Sequence, residues 1–165
     1  MGNPLRAAPR LAAPGRHGTA DVARGARLKL HYQAPSNSST VTGYGPGYIE
    51  IDRVRYAWNE WGGILLAPEA AVQRWAVADP AALAAADVAP ILAFRPEIVL
   101  FGTGPRQRFP KPEAIAPLAQ AQVGFEVMDT AAACRTFNIL VAEGRRVVGA
   151  FFPSDDPAPS VPEKP

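Results

Sequence analysis

Two polar segments, called corners here, carry the side chains of this sequence that could bind an anion. The first corner, residues 102–108, follows an apolar run at residues 98–101. The second corner, residues 129–135, follows another apolar run at residues 123–128. In open α/β sheets, ligands bind beyond the carboxyl ends of strands, where loops enter helices. Glycine-rich loops expose backbone N–H groups there, and arginines add positive charge. The candidate residues are Gly102, Thr103, Gly104, Arg106, Arg108, Asp129, Thr130 and Arg135.

Neither corner completes a nucleotide-binding motif. Gly102 and Gly104 supply two of the three spaced glycines of a dinucleotide fingerprint, but Gln107 stands where the third belongs. The third glycine allows a helix to pack closely on its strand, so its absence argues against a bound dinucleotide. The two histidines, His17 and His31, lie outside both corners and lack a metal-binding spacing. We therefore predict no catalytic residue, no metal ion and no cofactor.

Cys134 and Arg135 each allow two interpretations. Cys134 is the single cysteine, which excludes an intrachain disulfide and a multi-cysteine metal site. A neighbouring cation and a helix N-terminus can make a thiol reactive, but a buried structural cysteine on an alanine-rich helix is commoner. Arg135 would either form a structural pair with Asp129 or clamp a ligand together with it. The residues favour the structural interpretation in both cases.

The second half of the chain alternates strand and helix patterns, which predicts a βαβαβ unit. Right-handed crossovers would make its strands parallel and bring both corners to one edge of the sheet. A continuous apolar run suits a strand that is covered on both faces. The predicted elements are a strand at residues 98–101, a helix at 112–122 that Pro117 either kinks or shortens, a strand at 123–128, a helix that Asp129 or Thr130 caps and Gly144 ends, and a strand at 145–152.

The first half has the pattern of an antiparallel β-meander. Residues 35–47 are polar and glycine-rich and are expected to form a loop. Asp79 is a good N-cap, so we predict a helix through the alanines at residues 81–86. Residues 87–94 either continue that helix or begin another, with Pro90 in its first turn. The predicted strands lie at residues 28–32, 48–51, 54–58, 63–66 and 72–77.

Length and composition predict one domain with two tails. The 165 residues are 48% hydrophobic and 19% charged, which fits a globular chain. Residues 1–27 hold five arginines against Asp21 alone, a balance of +4; because the whole chain carries +2, the remainder carries −2. That distribution argues against a nucleic-acid-binding face. We expect a flexible basic tail at residues 1–27, a domain at residues 28–152 and a proline-rich disordered tail at residues 153–165.

The N-terminal tail also bears on the expected compartment. No apolar run approaches the length of about 18 residues that a membrane span needs. The tail is rich in arginine and poor in acidic residues, as in a mitochondrial transit peptide, but Pro4, Pro9 and Pro14 interrupt any long amphipathic helix. A disordered tail on a cytoplasmic protein is therefore the favoured prediction, with a mitochondrial location as the alternative if the tail is a transit peptide.

Two stretches resemble a widespread family of small domains of the Mth type. They are FGTGPRQRFP at residues 101–110 and EVMDTAAACRTFNILVAEGRRVVGAFF at residues 126–152. The paired motifs are specific, and the resemblance covers about residues 28–152. The family includes mitochondrial NADH dehydrogenase (complex I) assembly factor 3 and the adipogenesis-associated Mth-domain protein. At the position of Phe137 the family more often has tyrosine, so any role for a hydroxyl there is lost.

The resemblance implies a single three-layer α/β domain around a mixed central sheet, with an extra β-layer, and it supplies no established catalytic residue. The mitochondrial relative assists the assembly of respiratory NADH dehydrogenase through protein partners. We therefore expect a non-enzymatic binding or assembly protein, with respiratory-complex subunits or assembly factors as candidate partners and no nucleic acid. The alternative is a sensor or enzyme that binds an anionic small molecule at the strand carboxyl ends.

The tails predict a clear result in limited proteolysis. Proline-rich, aperiodic segments expose backbone to proteases, whereas a packed domain does not. We expect a protease-resistant fragment of about residues 28–152, measured by mass spectrometry of the digest. Rapid cleavage within that span, with no stable fragment, would contradict the domain boundaries.

Overall fold

The computed structural model of the protein describes residues 37–154. Its first layer is a three-stranded antiparallel sheet in the order β1-β2-β3, where β1 is Val41–Gly45, β2 is Tyr48–Ile51 and β3 is Val54–Ala57. The predicted hairpin between β2 and β3 is confirmed: Asp52 and Arg53 form its turn with φ angles of +50° and +68°. The strand predicted at residues 28–32 lies outside the described residues.

The prediction of a loop at residues 35–47 is wrong where β1 forms. Val41 is buried and pairs with Ile51, but the register shifts between Val41 and Gly43. A bulge of this kind places an extra residue in one strand and interrupts the alternation of apolar and polar side chains. Together with Gly45, it hides the strand pattern from a reading of the sequence.

The central layer is a mixed five-stranded sheet in the order β5-β4-β8-β6-β7. Its strands β6 and β8 pair in parallel, as do β6 and β7, whereas β4 runs antiparallel to both β8 and β5. The predicted mixed sheet and βαβαβ unit are therefore confirmed. The strand bounds are β4 Gly63–Leu66, β5 Gln73–Trp75, β6 Ile98–Gly102, β7 Gly124–Met128 and β8 Val147–Phe151.

Four α-helices connect these strands within residues 37–154. The short helix α1, Trp58–Trp61, joins the two sheets, and α2 is a single turn at Ala89–Leu92. The helix α3, Pro112–Gln120, is regular on both sides of Pro117, which lies inside it. The helix α4, Thr130–Ala142, ends as predicted, because Gly144 adopts a φ of +72° just beyond it.

The helix predicted at residues 81–86 is wrong. Two short 3₁₀ helices, Pro80–Ala82 and Ala85–Val88, stand in its place, although Asp79 does cap the first of them by accepting a hydrogen bond from the Ala81 N–H. Both Leu83 and Val88 are buried in the core beside the sheet. Core packing thus overrides the helix propensity of the alanines, which is a weak preference by comparison.

Apolar side chains cover both faces of the central sheet. On one face Val99 and Phe101 of β6 join a cluster that includes Leu118 of α3. On the other face Leu100 joins Phe137 of α4 in a second cluster, to which the three-stranded sheet also contributes. The alternation along β6 explains its continuous apolar run, because neighbouring residues serve opposite cores.

The three-stranded sheet is fastened to α4 by polar contacts that the sequence did not predict. The side-chain amide of Asn138 accepts a hydrogen bond from the Val41 N–H at 2.9 Å and donates one to the Val41 carbonyl at 2.7 Å. Arg135 Nη1 donates to the hydroxyl of Tyr44 at 3.0 Å. The helix α4 therefore contacts the three-stranded sheet as well as the central sheet.

Candidate functional site

The two polar corners meet at the carboxyl ends of β6 and β7. Gly102 is opposite Met128 in the parallel register, and the N–H of the next residue, Thr103, donates to the Met128 carbonyl at 3.0 Å. The last residue of β6 also requires its glycine for packing. A Cβ atom on Gly102 would lie 2.7 Å from the ring of Phe151 and 3.2 Å from the Cβ of Ala133 in α4.

Thr103 is the one fully buried polar residue among those that the structure describes. Its hydroxyl lies 2.6 Å from the Arg106 carbonyl and 3.1 Å from the Met128 carbonyl, and it accepts a hydrogen bond from the Arg108 N–H at 2.9 Å. One side chain therefore satisfies backbone groups from both corners. Because a buried hydroxyl without partners is costly, these contacts fix the loop after β6.

The second corner closes onto the first through reciprocal hydrogen bonds. The Thr130 N–H donates to the Gly104 carbonyl at 2.8 Å, and the Gly104 N–H donates to the Thr130 hydroxyl oxygen at 2.9 Å. Gly104 has a φ of +88°, which favours glycine. Asp129 caps α4, as predicted, by accepting a hydrogen bond from the Ala132 N–H at 2.7 Å. The N–H groups of Thr103, Gly104 and Thr130 thus already have partners.

The arginines of the site point outward. Arg108 forms a salt bridge of 2.8 Å with Asp79, and both side chains are nearly half exposed. The hydrogen bond from the Ala81 N–H, followed by that from Arg108, lowers the pKa of Asp79 below its usual value. Arg106 is exposed.

Arg135 does not form the expected pair with Asp129. Among residues 37–154 Asp129 takes part in no salt bridge, and its side chain serves as the helix cap. Arg135 is exposed instead of facing the core, and its hydrogen-bond partner is Tyr44 of β1. The two interpretations based on an Asp129–Arg135 pair are both corrected by this geometry.

Cys134 lies in the core between α4 and the central sheet. It is buried with 1% of its surface exposed. Burial penalises the charged thiolate and raises the pKa of Cys134 to about 12, although the nearby charge of Arg135 acts in the opposite direction. At neutral pH the side chain is therefore a neutral, apolar group.

The sequence interpretation missed one exposed residue of this edge, Phe109. The 105–111 loop connects the first corner to α3, and Phe109 has 69% of its surface exposed while Pro110 beside it is buried. The sequence held a weak signal, since Phe109 stands alone between Arg108 and Pro110, outside any apolar periodicity. Among the large hydrophobic residues that the structure describes, Phe109 is the most exposed.

A cleft of about 290 Å³ lies away from this edge, at the opposite ends of β6 and β8. Pro96, just before β6, and Val147, at the start of β8, line it together with Phe94 and Arg145. This cleft therefore does not coincide with the anion-binding crevice that the sequence predicts at the carboxyl ends of the strands.

Residues 41–152 match the family described as "Protein of unknown function (DUF498/DUF598)". An uncharacterised protein of Rhodobacter capsulatus is 33% identical over 126 residues, which cover 73% of this chain and 89% of that protein. NADH dehydrogenase (ubiquinone) 1 alpha subcomplex assembly factor 3 of Xenopus tropicalis is 43% identical over 63 residues, or 38% of this chain. The match spans 34% of that assembly factor.

A solved structure confirms the fold. The solution structure of a Bordetella pertussis protein, described as a Mth938-like domain, superposes with a TM-score of 0.63 at 40% sequence identity. The match covers 79% of this chain and 94% of the Bordetella chain. Within residues 37–154, no helix combines the length and the apolar character that crossing a membrane requires.

The closed corner predicts that Thr103 is required for stability. Thr103→Val keeps the shape of the side chain but leaves buried backbone groups unpaired, so we expect a loss of about 1–3 kcal/mol in the free energy of unfolding. Thr103→Ser keeps the hydroxyl and should lose less. Thr136→Val on α4 is the matched control, with a change within about 0.5 kcal/mol. Urea denaturation of the three variants measures these differences, and equal stability of Thr103→Val and wild type would contradict the role.

The buried thiol predicts a pH-dependent stability. Cys134→Ala should cost about 1 kcal/mol at pH 7, because a small apolar group is lost from the core. Above the usual pKa of 9.0 the unfolded thiol ionises while the folded thiol stays protonated up to about 12, so the wild type loses stability as pH rises. The order of stability should therefore have reversed by about pH 10, where the linkage of ~1.4 kcal/mol exceeds that cost. Parallel unfolding curves from pH 7 to 10.5 test this, and a constant difference would contradict it.

Proposed function

We propose that this chain, which belongs to the DUF498/DUF598 family of proteins of unknown function, is a non-enzymatic binding protein that acts in the assembly of other proteins. Its contact edge is built on Gly102, Thr103, Gly104, Arg106, Arg108, Asp129, Thr130 and Arg135. In this proposal some of these residues shape the edge and others touch the partner. The chain itself is proposed to be cytoplasmic.

The observation that supports this proposal most is the closure of the two corners onto each other. The N–H groups that would cradle a small anion are already bonded to Met128, Thr130 and Gly104. What the edge exposes is a surface of side chains, with Arg106, Arg108 and Phe109 outermost. Exposed arginine and aromatic residues are enriched at contacts with other proteins.

The relatives suggest what the partners are. A family member from Xenopus tropicalis bears the name of an assembly factor for NADH dehydrogenase, and the shared segment amounts to 38% of this chain. By analogy, we propose subunits of a respiratory NADH dehydrogenase, or factors that assemble it, as the partners. The analogy is one of family and not of fold alone, since a fold by itself does not determine function.

A rival proposal is a sensor or enzyme that uses an anionic small molecule. Such a protein would direct Arg135 into an open pocket at the strand carboxyl ends. In this structure Arg135 instead donates a hydrogen bond to the Tyr44 hydroxyl. Thermal shift measurements against nucleotides, phosphates and carboxylates address it directly. A bound ligand at a hundredfold excess over its Kd would stabilise the protein by about 2.7 kcal/mol.

Affinity purification of the intact chain and of Arg106→Ala/Arg108→Ala tests the proposed edge. We expect the double variant to lose its principal partners, because two cations at the contact surface are removed. Arg53→Ala/Arg74→Ala is the matched control, since it removes the same charge from exposed positions elsewhere. An identical set of partners for the intact chain and the edge variant would rule out the edge. Respiratory-complex subunits among the lost partners would support the assembly role.

A further inference from the structure

We infer that Phe109 is the anchor of the contact edge, and that it enters an apolar socket on a partner protein whose rim carries acidic side chains. The inference rests on the proposed function, because it assigns the partner's chemistry at the same edge. Three observations carry it: the attachment of the 105–111 loop to the domain, the exposure of Phe109, and the charge of the loop.

The 105–111 loop is attached to the domain on both sides of Phe109. The Thr103 hydroxyl holds the Arg106 carbonyl and the Arg108 N–H, and the side chain of Gln107 donates to the Val127 carbonyl at 2.7 Å. Arg108 is further bound to Asp79, and Pro110 is buried. Contacts at Arg106, Gln107, Arg108 and Pro110 therefore order the loop on both sides of Phe109.

Phe109 nevertheless stays in solvent, with 69% of its surface exposed. Burial of an aromatic ring is favourable, so an isolated flexible loop would tend to fold its phenylalanine against the nearest apolar surface. The attached neighbours prevent this here. An exposed aromatic residue on an ordered segment loses little conformational freedom when it binds, which is the property of a preorganised anchor.

The charge of the loop indicates the chemistry of the partner. Residues 105–111 contain Arg106, Arg108 and Lys111 and no acidic residue. Asp79 partly neutralises Arg108. Arg106 and Lys111 remain as exposed cations within three residues of Phe109. A complementary surface therefore combines an apolar socket for the ring with carboxylates around it.

Photo-crosslinking of the full chain tests the inference. p-Benzoylphenylalanine replaces Phe109 in one variant, and in the control it replaces Val54, an apolar residue of β3 with 54% of its surface exposed. We expect an adduct at position 109 alone, mapped by mass spectrometry to an apolar residue of another protein with Asp or Glu beside it. Cross-links to this chain's own residues, to a second copy, to a site without acidic residues, or to nothing would each overturn the inference.

Binding measurements on the cross-linked partner complete the test. Phe109→Ala should weaken binding by at least about tenfold, as is typical for an anchor residue. Lys111→Gln should weaken binding at low salt and have little effect at high salt, where exposed charges are screened. Thermal unfolding of Phe109→Ala should match that of the wild type, because the ring is exposed. Unchanged affinity of Phe109→Ala would overturn the inference.

The two proposals can fail separately. If Arg106→Ala/Arg108→Ala loses its partners while Phe109→Ala retains them, the contact edge stands and the anchor does not. If both variants keep every partner, the edge itself is wrong. Loss of the partners in both variants, with a cross-link to an acidic apolar segment, supports both.

Discussion

The buried hydroxyl of Thr103 is the constraint on which the functional edge depends. It sits where β6 ends and bonds to backbone groups that come from the loop after β6 and from the end of β7. A polar group with no access to water has to find such partners, and the two loops supply them in this arrangement. The path of the 105–111 loop and the start of α4 both follow from that arrangement.

The helix α4 connects this edge to the three-stranded sheet. Its first turn is fixed by the Asp129 cap and by Thr130, and its middle carries Asn138, whose amide pairs with both backbone groups of Val41. The amide thus hydrogen-bonds to the backbone of β1 as a neighbouring strand would. Polar contacts at one end and in the middle of the same helix therefore join the edge to the three-stranded sheet.

The elements that local patterns determine could be predicted from the sequence. The apolar run of β6 and the Asp129 cap are examples, because periodicity and capping act within a few residues. The errors have a different cause. Arg135 pairs with Tyr44, which lies 91 residues away, instead of Asp129 nearby. Residues 81–86 pack against a core that strands distant in the sequence form, and this packing overrides their local helix propensity. The register shift between Val41 and Gly43 makes β1 hard to recognise from its sequence.

The pairing of Asn138 with Val41 also affects the order in which the chain becomes structured during synthesis. The two residues are 97 positions apart, so the three-stranded sheet is synthesised before α4. Ile49, Ile51 and Trp58 lie in the core cluster that α4 shares. Until α4 has emerged from the ribosome, the apolar side chains that it covers stay exposed. Nascent chains with such exposed apolar surface are prone to associate with one another.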